Sequence, residues 1–165
     1  MDLHRNWILW HDTNWEDLQK VSLITNVVQF WQVFNALPKE LPHLHNLRLF
    51  RESIQPARED PQHASGGKWI IQFPTGFDTS TAWLNLKLDI IGASIPMESS
   101  ITGIEMNYRR RGNRISIWTN SLEQQVSLGQ YIVSVAGQTA NFKEHHEIAE
   151  QKSAYTTKSL IEVSV

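Results

Sequence analysis

At 165 residues, with 41% hydrophobic residues and a formal net charge of −2, the chain has enough apolar side chain for one buried core. It has too little basic excess to coat nucleic acid indiscriminately, so any attraction for phosphate has to be local. No apolar run reaches membrane-spanning length and no signal-peptide core follows Met1-Asp2-Leu3-His4-Arg5, while the absence of cysteine excludes disulfides and thiolate metal sites and fits a reducing, cytoplasmic location. A single domain over 1–165 is expected, and each of its seven tryptophans needs a placement, as core or as stacking surface.

Alternation over Asn6–His11 predicts a strand with Trp7 and Leu9 on one side and Ile8 and Trp10 on the other. The polar loop Asp12–Asp17 follows, and Trp15, between Asn14 and Glu16, is the tryptophan least easily assigned to a core. Leu18–Ile24 gives a second strand. From Thr25 the period becomes helical: Val27, Trp31 and Phe34 recur, Phe30 and Leu37 widen the stripe, Thr25 or Asn26 is the cap and Pro38 the stop. That helix has more bulky apolar surface than one face needs. It is either core on both sides or a partner-binding surface that includes Trp31.

Leu47–Arg51 reads as a strand, and Gln55–His63 as a polar loop of the kind that carries function on a rigid scaffold. Gly66-Gly67 opens a strand over Lys68–Phe73. Thr79–Ile91 reads as a helix through Trp83, Leu84, Leu88 and Ile91, ending at Gly92. A third helix is predicted over Ser121–Val135 from Leu122, Val126 and Tyr131. Strands over Ala140–His146 and Ser159–Val163 then flank a polar loop, Glu147–Lys158. The order predicts an α+β fold with an antiparallel sheet. The histidines lack metal-ligand spacing, and no nucleophile elbow, P-loop or paired-carboxylate pattern is present, so neither metal, cofactor nor enzyme activity is expected.

The most informative stretch is GIEMNYRRRGNRISIWT, from Gly103 to Thr119. Gly112-Asn113 predicts a two-residue hairpin turn, pairing Arg111 with Arg114, Arg110 with Ile115, Arg109 with Ser116, Tyr108 with Ile117 and Asn107 with Trp118. One face then carries Met106, Tyr108, Ile115 and Ile117, with Arg110 at its tip. The other carries Glu105, Asn107, Arg109, Arg111, Arg114, Ser116 and Trp118. Guanidinium forks beside an indole suit a phosphorylated ligand with an aromatic base. The bland alternative is a basic edge with a half-buried tryptophan.

In chain order, WILW (from Trp7), Asn14-Trp15, FWQVFN (from Phe30), PARED (from Pro56), GGKWII (from Gly66), WLNLKLDIIG (from Trp83), NYRRRGNRISIWT (from Asn107) and KSAYTTK (from Lys152) occur together. This set closely resembles the eukaryotic translation initiation factor 4E family, messenger-RNA cap-binding proteins, from about Trp7 to Val163. The resemblance implies a curved antiparallel sheet with three helices on its convex face, and a concave side that binds 7-methylguanosine joined through a triphosphate to RNA. It implies that Trp15 stacks on the methylated base, Glu59 accepts hydrogen bonds from the guanine edge and Trp118 meets the methyl group. Arg109 and Arg114 would bind phosphate, with Lys68 a further basic position and Lys152 a basic residue near the second nucleotide. On the convex side Val27, Trp31, Leu84 and Leu88 match the docking surface for an amphipathic helix of a scaffold initiation factor or an inhibitory binding protein. No membrane or DNA partner is implied.

One position departs from the family. Its second stacking tryptophan falls on Arg58, which faces a ring that is already cationic once methylated. Arg58 either stacks weakly, or turns to phosphate while another group covers the base, or lies solvated in its loop. The leading expectation is a cap-binding initiation factor. The alternative is a homologue with weak or altered cap binding that sequesters partners and represses translation. A third reading is an RNA binder that uses its arginines without cap preference.

Overall fold

The computed structural model describes residues 1–145 and 161–165. His146, the whole Glu147–Lys158 loop with Lys152, and the start of the last predicted strand lie outside the described residues. The strands are β1 (Asp2–Asp12), β2 (Gln19–Asn26), β3 (Asn46–Arg51), β4 (Gly67–Gln72), β5 (Ile101–Asn107), β6 (Arg114–Thr119), β7 (Ala140–Glu144) and β8 (Ile161–Val163). The helices are α1 (Val27–Ala36), α2 (Ser80–Ile91) and α3 (Gln125–Ala136). The strands form one curved sheet in the order β2-β1-β3-β5-β6-β4-β7-β8, with antiparallel neighbours, and the three helices pack on its convex face.

The two faces of the sheet follow from strand alternation. Trp7, Leu9, Leu47, Leu49, Trp69, Ile71, Ile104, Met106, Ile115 and Ile117 point to the helices and join Phe30, Trp83, Leu86, Leu128 and Ile132 in one core. The opposite residues are paired across the concave face: Trp10 with Arg48, Arg48 with Glu105, Glu105 with Ser116, Asn46 with Asn107, Asn107 with Arg114, and Lys68 with Trp118. The register therefore gathers Asn46, Arg48, Lys68, Glu105, Asn107 and Arg114 on one concave face.

Asn26 caps α1 by accepting from the Gln29 backbone N–H at 2.9 Å, one of the two caps expected from the sequence. The Ser121–Val135 expectation is corrected. The helix α3 starts at Gln125, and its buried side is Gln125, Leu128, Gly129, Ile132, Val133 and Ala136, whereas Leu122 and Val126 are exposed. Gly129 explains the choice of face: a Cβ there would lie 2.3 Å from the Trp69 ring, so the helix approaches the sheet where it has no side chain. Trp69 is then anchored by donating from Nε1 to Gln125 Oε1 at 2.9 Å.

The two-residue hairpin is also corrected. β5 ends at Asn107, which pairs with Arg114, so residues 108–113 form the loop. Tyr108 instead exchanges backbone hydrogen bonds with the 44–45 segment, donating to His45 at 3.0 Å and accepting from Leu44 at 2.8 Å. Gly112 has φ 111°, but Asn113 does not share a positive φ, as a type I′ turn would require. The register moves by four residues. Because four is even, every strand residue keeps the face assigned to it.

Candidate functional site: a charged concave pocket with one exposed indole

Of the seven tryptophans, Trp7, Trp10, Trp69, Trp83 and Trp118 are buried. Trp15 (52% exposed) and Trp31 (37%) are not. Asn14 caps a single 3-10 turn over Trp15–Asp17, accepting from the Glu16 N–H at 2.9 Å, while Asp17 accepts from the Thr13 and Asn14 N–H groups at 3.0 Å each. The same contacts hold the Asp17 carboxyl down at about 2, the Thr13 hydroxyl foremost. A short polar stretch thus fixes the loop that presents the indole.

Trp15 is one wall of a concave cavity of about 480 Å³, lined also by Arg48, Arg58, Glu59, Lys68, Glu105, Asn107, Trp118 and His145. That volume suits a nucleotide-sized ligand. Trp118 is its buried wall, packed edge-on to Phe50 at 5.4 Å and tilted over His145 at 4.5 Å between ring centroids. Lys68 Nζ lies 5.0 Å from the Trp118 ring centre. Burial pushes the His145 imidazole down to about 3, helped by His63, Lys68 and Arg58, so it is neutral at pH 7. His63, hydrogen-bonded to Ala57 O at 2.7 Å and Thr102 Oγ1 at 2.8 Å, is likewise lowered by burial.

The largest feature that sequence reasoning missed is Arg48. It is 5% exposed, its Nε and Nη2 donate to Asp12 at 2.9 and 3.2 Å, and its Nη1 donates to Glu105. Its guanidinium also covers one face of Trp15, with Cζ 4.1 Å from the ring centre. Burial alone would depress Arg48, but Glu105 and Asp12 outweigh it and raise it. Glu105 reaches Lys68 as well, at 3.9 Å. Lys68 is itself lowered, first by burial, with Glu105 opposing and Arg114, Arg48 and Lys143 adding. The available signal was Arg48 between Leu47 and Leu49, on the strand face opposite the core.

Of the expected cap-binding residues, Trp15, Arg58, Glu59, Lys68 and Trp118 come together in this cavity. Glu59 is 72% exposed at its side chain, and its carboxylate forms an ion pair with Arg58, 3.2 Å from Nε. The expected phosphate-binding pair, Arg109 and Arg114, and the further candidate Arg111 lie beyond the lining. Arg109 is nearest: Nη2 donates to Asn46 Oδ1 at 2.8 Å, and the same oxygen accepts from Asn107, a lining residue, at 2.8 Å. Its Nη1 donates to Tyr108 O at 2.9 Å and to His45 O at 3.4 Å, so among the described residues its acceptors are neutral oxygens. Burial and then the charges of Arg114 and Arg48 lower Arg109, which marks a local excess of positive charge. Arg114 is exposed on the same face, opposite Asn107 and 3.4 Å from Gln72. Arg111 is exposed in the 108–113 loop, away from the lining residues.

The Eukaryotic initiation factor 4E family model matches residues 2–160. The chain belongs to the eukaryotic initiation factor 4E family. The Eremothecium gossypii eukaryotic translation initiation factor 4E is 39% identical over 134 residues, 74% of this chain and 64% of that protein. The Caenorhabditis elegans factor 4E-1 is 33% identical over 129 residues, 71% of this chain and 61% of that one. The chain thus spans less than two thirds of the length of these relatives. Among solved structures, C. elegans eIF4E-3 in complex with the 4E-binding protein Mextli and a cap analog is 25% identical, covers 98% of both chains and has a TM-score of 0.85. The schistosome family member complexed with m7GpppG and 4E-BP, at 23% identity and TM-score 0.87, shares the fold.

The convex face carries the second expected surface of this family member. Trp31 and Val28 project from α1, Val27 is half-buried beside them, and Leu84 and Leu88 of α2 are half-buried against the core. Between the helices lies Lys87, 3% exposed, with Nζ 3.5 Å from the Phe34 ring centre, 4.5 Å from Trp83 and 5.7 Å from Phe30. Desolvation pushes its ammonium down to about 7.

Proposed function

We propose that this chain binds the 5′ cap of messenger RNA in the concave pocket and, through its convex face, an amphipathic helix of a scaffold or inhibitory protein, acting in the cytoplasm in translation. The observation that carries the reading is the single exposed indole on the concave side, Trp15, set in one cavity with Glu59, Lys68 and Trp118 and next to Arg109. Trp15 supplies a face for the base, the Glu59 carboxylate accepts from guanine N–H donors, and Lys68, Arg109 and Arg114 bind the phosphates. Arg111, at the loop tip, contributes at longer range, and Lys152 is proposed for the following nucleotide. Binding, rather than bond-breaking chemistry, is what these residues can do.

On the other side Val27, Trp31, Leu84 and Leu88 offer an aromatic anchor flanked by aliphatic groups, which fits a helix laid into a groove. The cap titration is the direct test: tryptophan fluorescence followed while 7-methyl-GTP is added. Saturable quenching in the micromolar range is expected, and its absence up to millimolar nucleotide would remove the cap-binding reading. A second reading, a partner-sequestering repressor with weak cap binding, is favoured by one observation. Arg58 stands in the pocket and engages Glu59. It predicts tight binding of a scaffold-type helical peptide alongside cap affinity weaker than millimolar.

A further inference from the structure

We infer that the concave pocket accepts a guanine 5′ nucleotide with little dependence on N7 methylation, because its walls are arranged for a neutral ring and a polyphosphate. The inference rests on the cap-binding reading of the same site.

Methylation at N7 makes guanine cationic, and a receptor gains from that charge through an open aromatic face or an uncompensated carboxylate. The pocket is poor in both. One face of Trp15 is covered by the Arg48 guanidinium at 4.1 Å, leaving no room for a base there. Asp12 and Glu105 hold Arg48 in place from two directions. A base therefore has only the opposite indole face, and the ring it stacks on already faces a cation. The lining carboxylates are also engaged: Glu105 by Arg48 and Lys68, Glu59 by Arg58. Among the lining residues three cations, Arg48, Arg58 and Lys68, face two carboxylates. A methylated ring meets Arg58 as a like charge. A neutral guanine instead finds in the same guanidinium a plane on which to stack. The phosphates, with Lys68, Arg109 and Arg114 near, are attracted equally in both nucleotides.

The test is calorimetric titration of the full chain with 7-methyl-GTP and with GTP at one salt concentration. A dissociation constant for GTP within about tenfold of that for 7-methyl-GTP is expected, since one cation–π contact on a half-exposed indole contributes about two- to fivefold. A larger preference for the methylated nucleotide overturns the inference and leaves the cap-binding reading standing, whereas failure of both nucleotides to bind removes that reading. Replacing Arg48 would strand Asp12 and Glu105, so the variant chosen is Arg58→Leu, in a loop outside the strands. It removes the facing cation and releases Glu59, and is expected to raise the methyl preference at least about threefold, while Arg58→Lys, which keeps the facing charge and loses only the stacking plane, raises it less. A ratio unmoved by Arg58→Leu overturns the role assigned to this residue.

Discussion

The sharpest consequence of the pocket geometry concerns Trp15→Leu. A fully buried tryptophan covers roughly 150–250 Å². With Trp15 52% exposed, its fold keeps about 100 Å² of it from water, worth at most about 2.5 kcal/mol at ~25 cal/mol per Å². Leucine restores much of that cover over Arg48, so the folding cost should stay within about 1 kcal/mol. The binding cost is of a different kind. Arg48 occupies one indole face, so a base can make one stack on Trp15, worth about 1–3 kcal/mol, which at its midpoint is roughly thirtyfold in Kd. Calorimetry with 7-methyl-GTP measures this without relying on the indole removed, and thermal melting checks the fold. A folded variant with wild-type affinity would show that Trp15 is not the stacking surface.

Arg109→Ala, which removes a guanidinium that donates to neutral oxygens, should weaken 7-methyl-GTP more than 7-methylguanosine and flatten the salt dependence; equal losses for both ligands would make it a structural residue. Trp31→Ala should cost a helical scaffold-type peptide about 2 kcal/mol or more and leave nucleotide affinity unchanged, and loss of both together would place Trp31 in the core. Lys87→Met should stabilise the fold by about 1–3 kcal/mol at pH 7 in urea melts. The sign follows from the lowered ammonium: the unfolded chain holds that proton up to its ordinary range near 10.5 and the folded chain only to about 7. Stability is therefore complete above the upper value and is lost as pH falls toward 7. The methionine variant should lack that slope between pH 7 and 10, and destabilisation at pH 7 would contradict the desolvation argument.

The strand faces were legible because alternation survives errors of register. The hairpin moved by four residues when Tyr108 turned to pair with the 44–45 segment, yet Glu105, Asn107, Arg114 and Trp118 stayed on the concave side. The α3 stripe was misread for a local reason. Val126 and Leu122 match the helical period, but Gly129 and the Gln125 amide are what the Trp69 ring admits. Apolar periodicity does not register a face selected by a missing side chain and an indole hydrogen bond. In the pocket, Trp15, Arg58, Glu59, Lys68 and Trp118 were found through family resemblance and do line one cavity. Arg48 was not, because a lone arginine in an apolar strand shows its partners only when β1 and β5 flank it, bringing Asp12 and Glu105 within reach. That residue decides which indole face is free.

Nucleotide is expected to enter the concave pocket and leave the convex face untouched. Seven indole N–H groups report on it in a proton–nitrogen correlation spectrum of the labelled chain. On addition of 7-methyl-GTP the Trp15 and Trp118 signals should shift progressively to saturation, with Trp31 and Trp83 fixed. Shifts centred on Trp31, or no indole shift at saturating nucleotide, would contradict it.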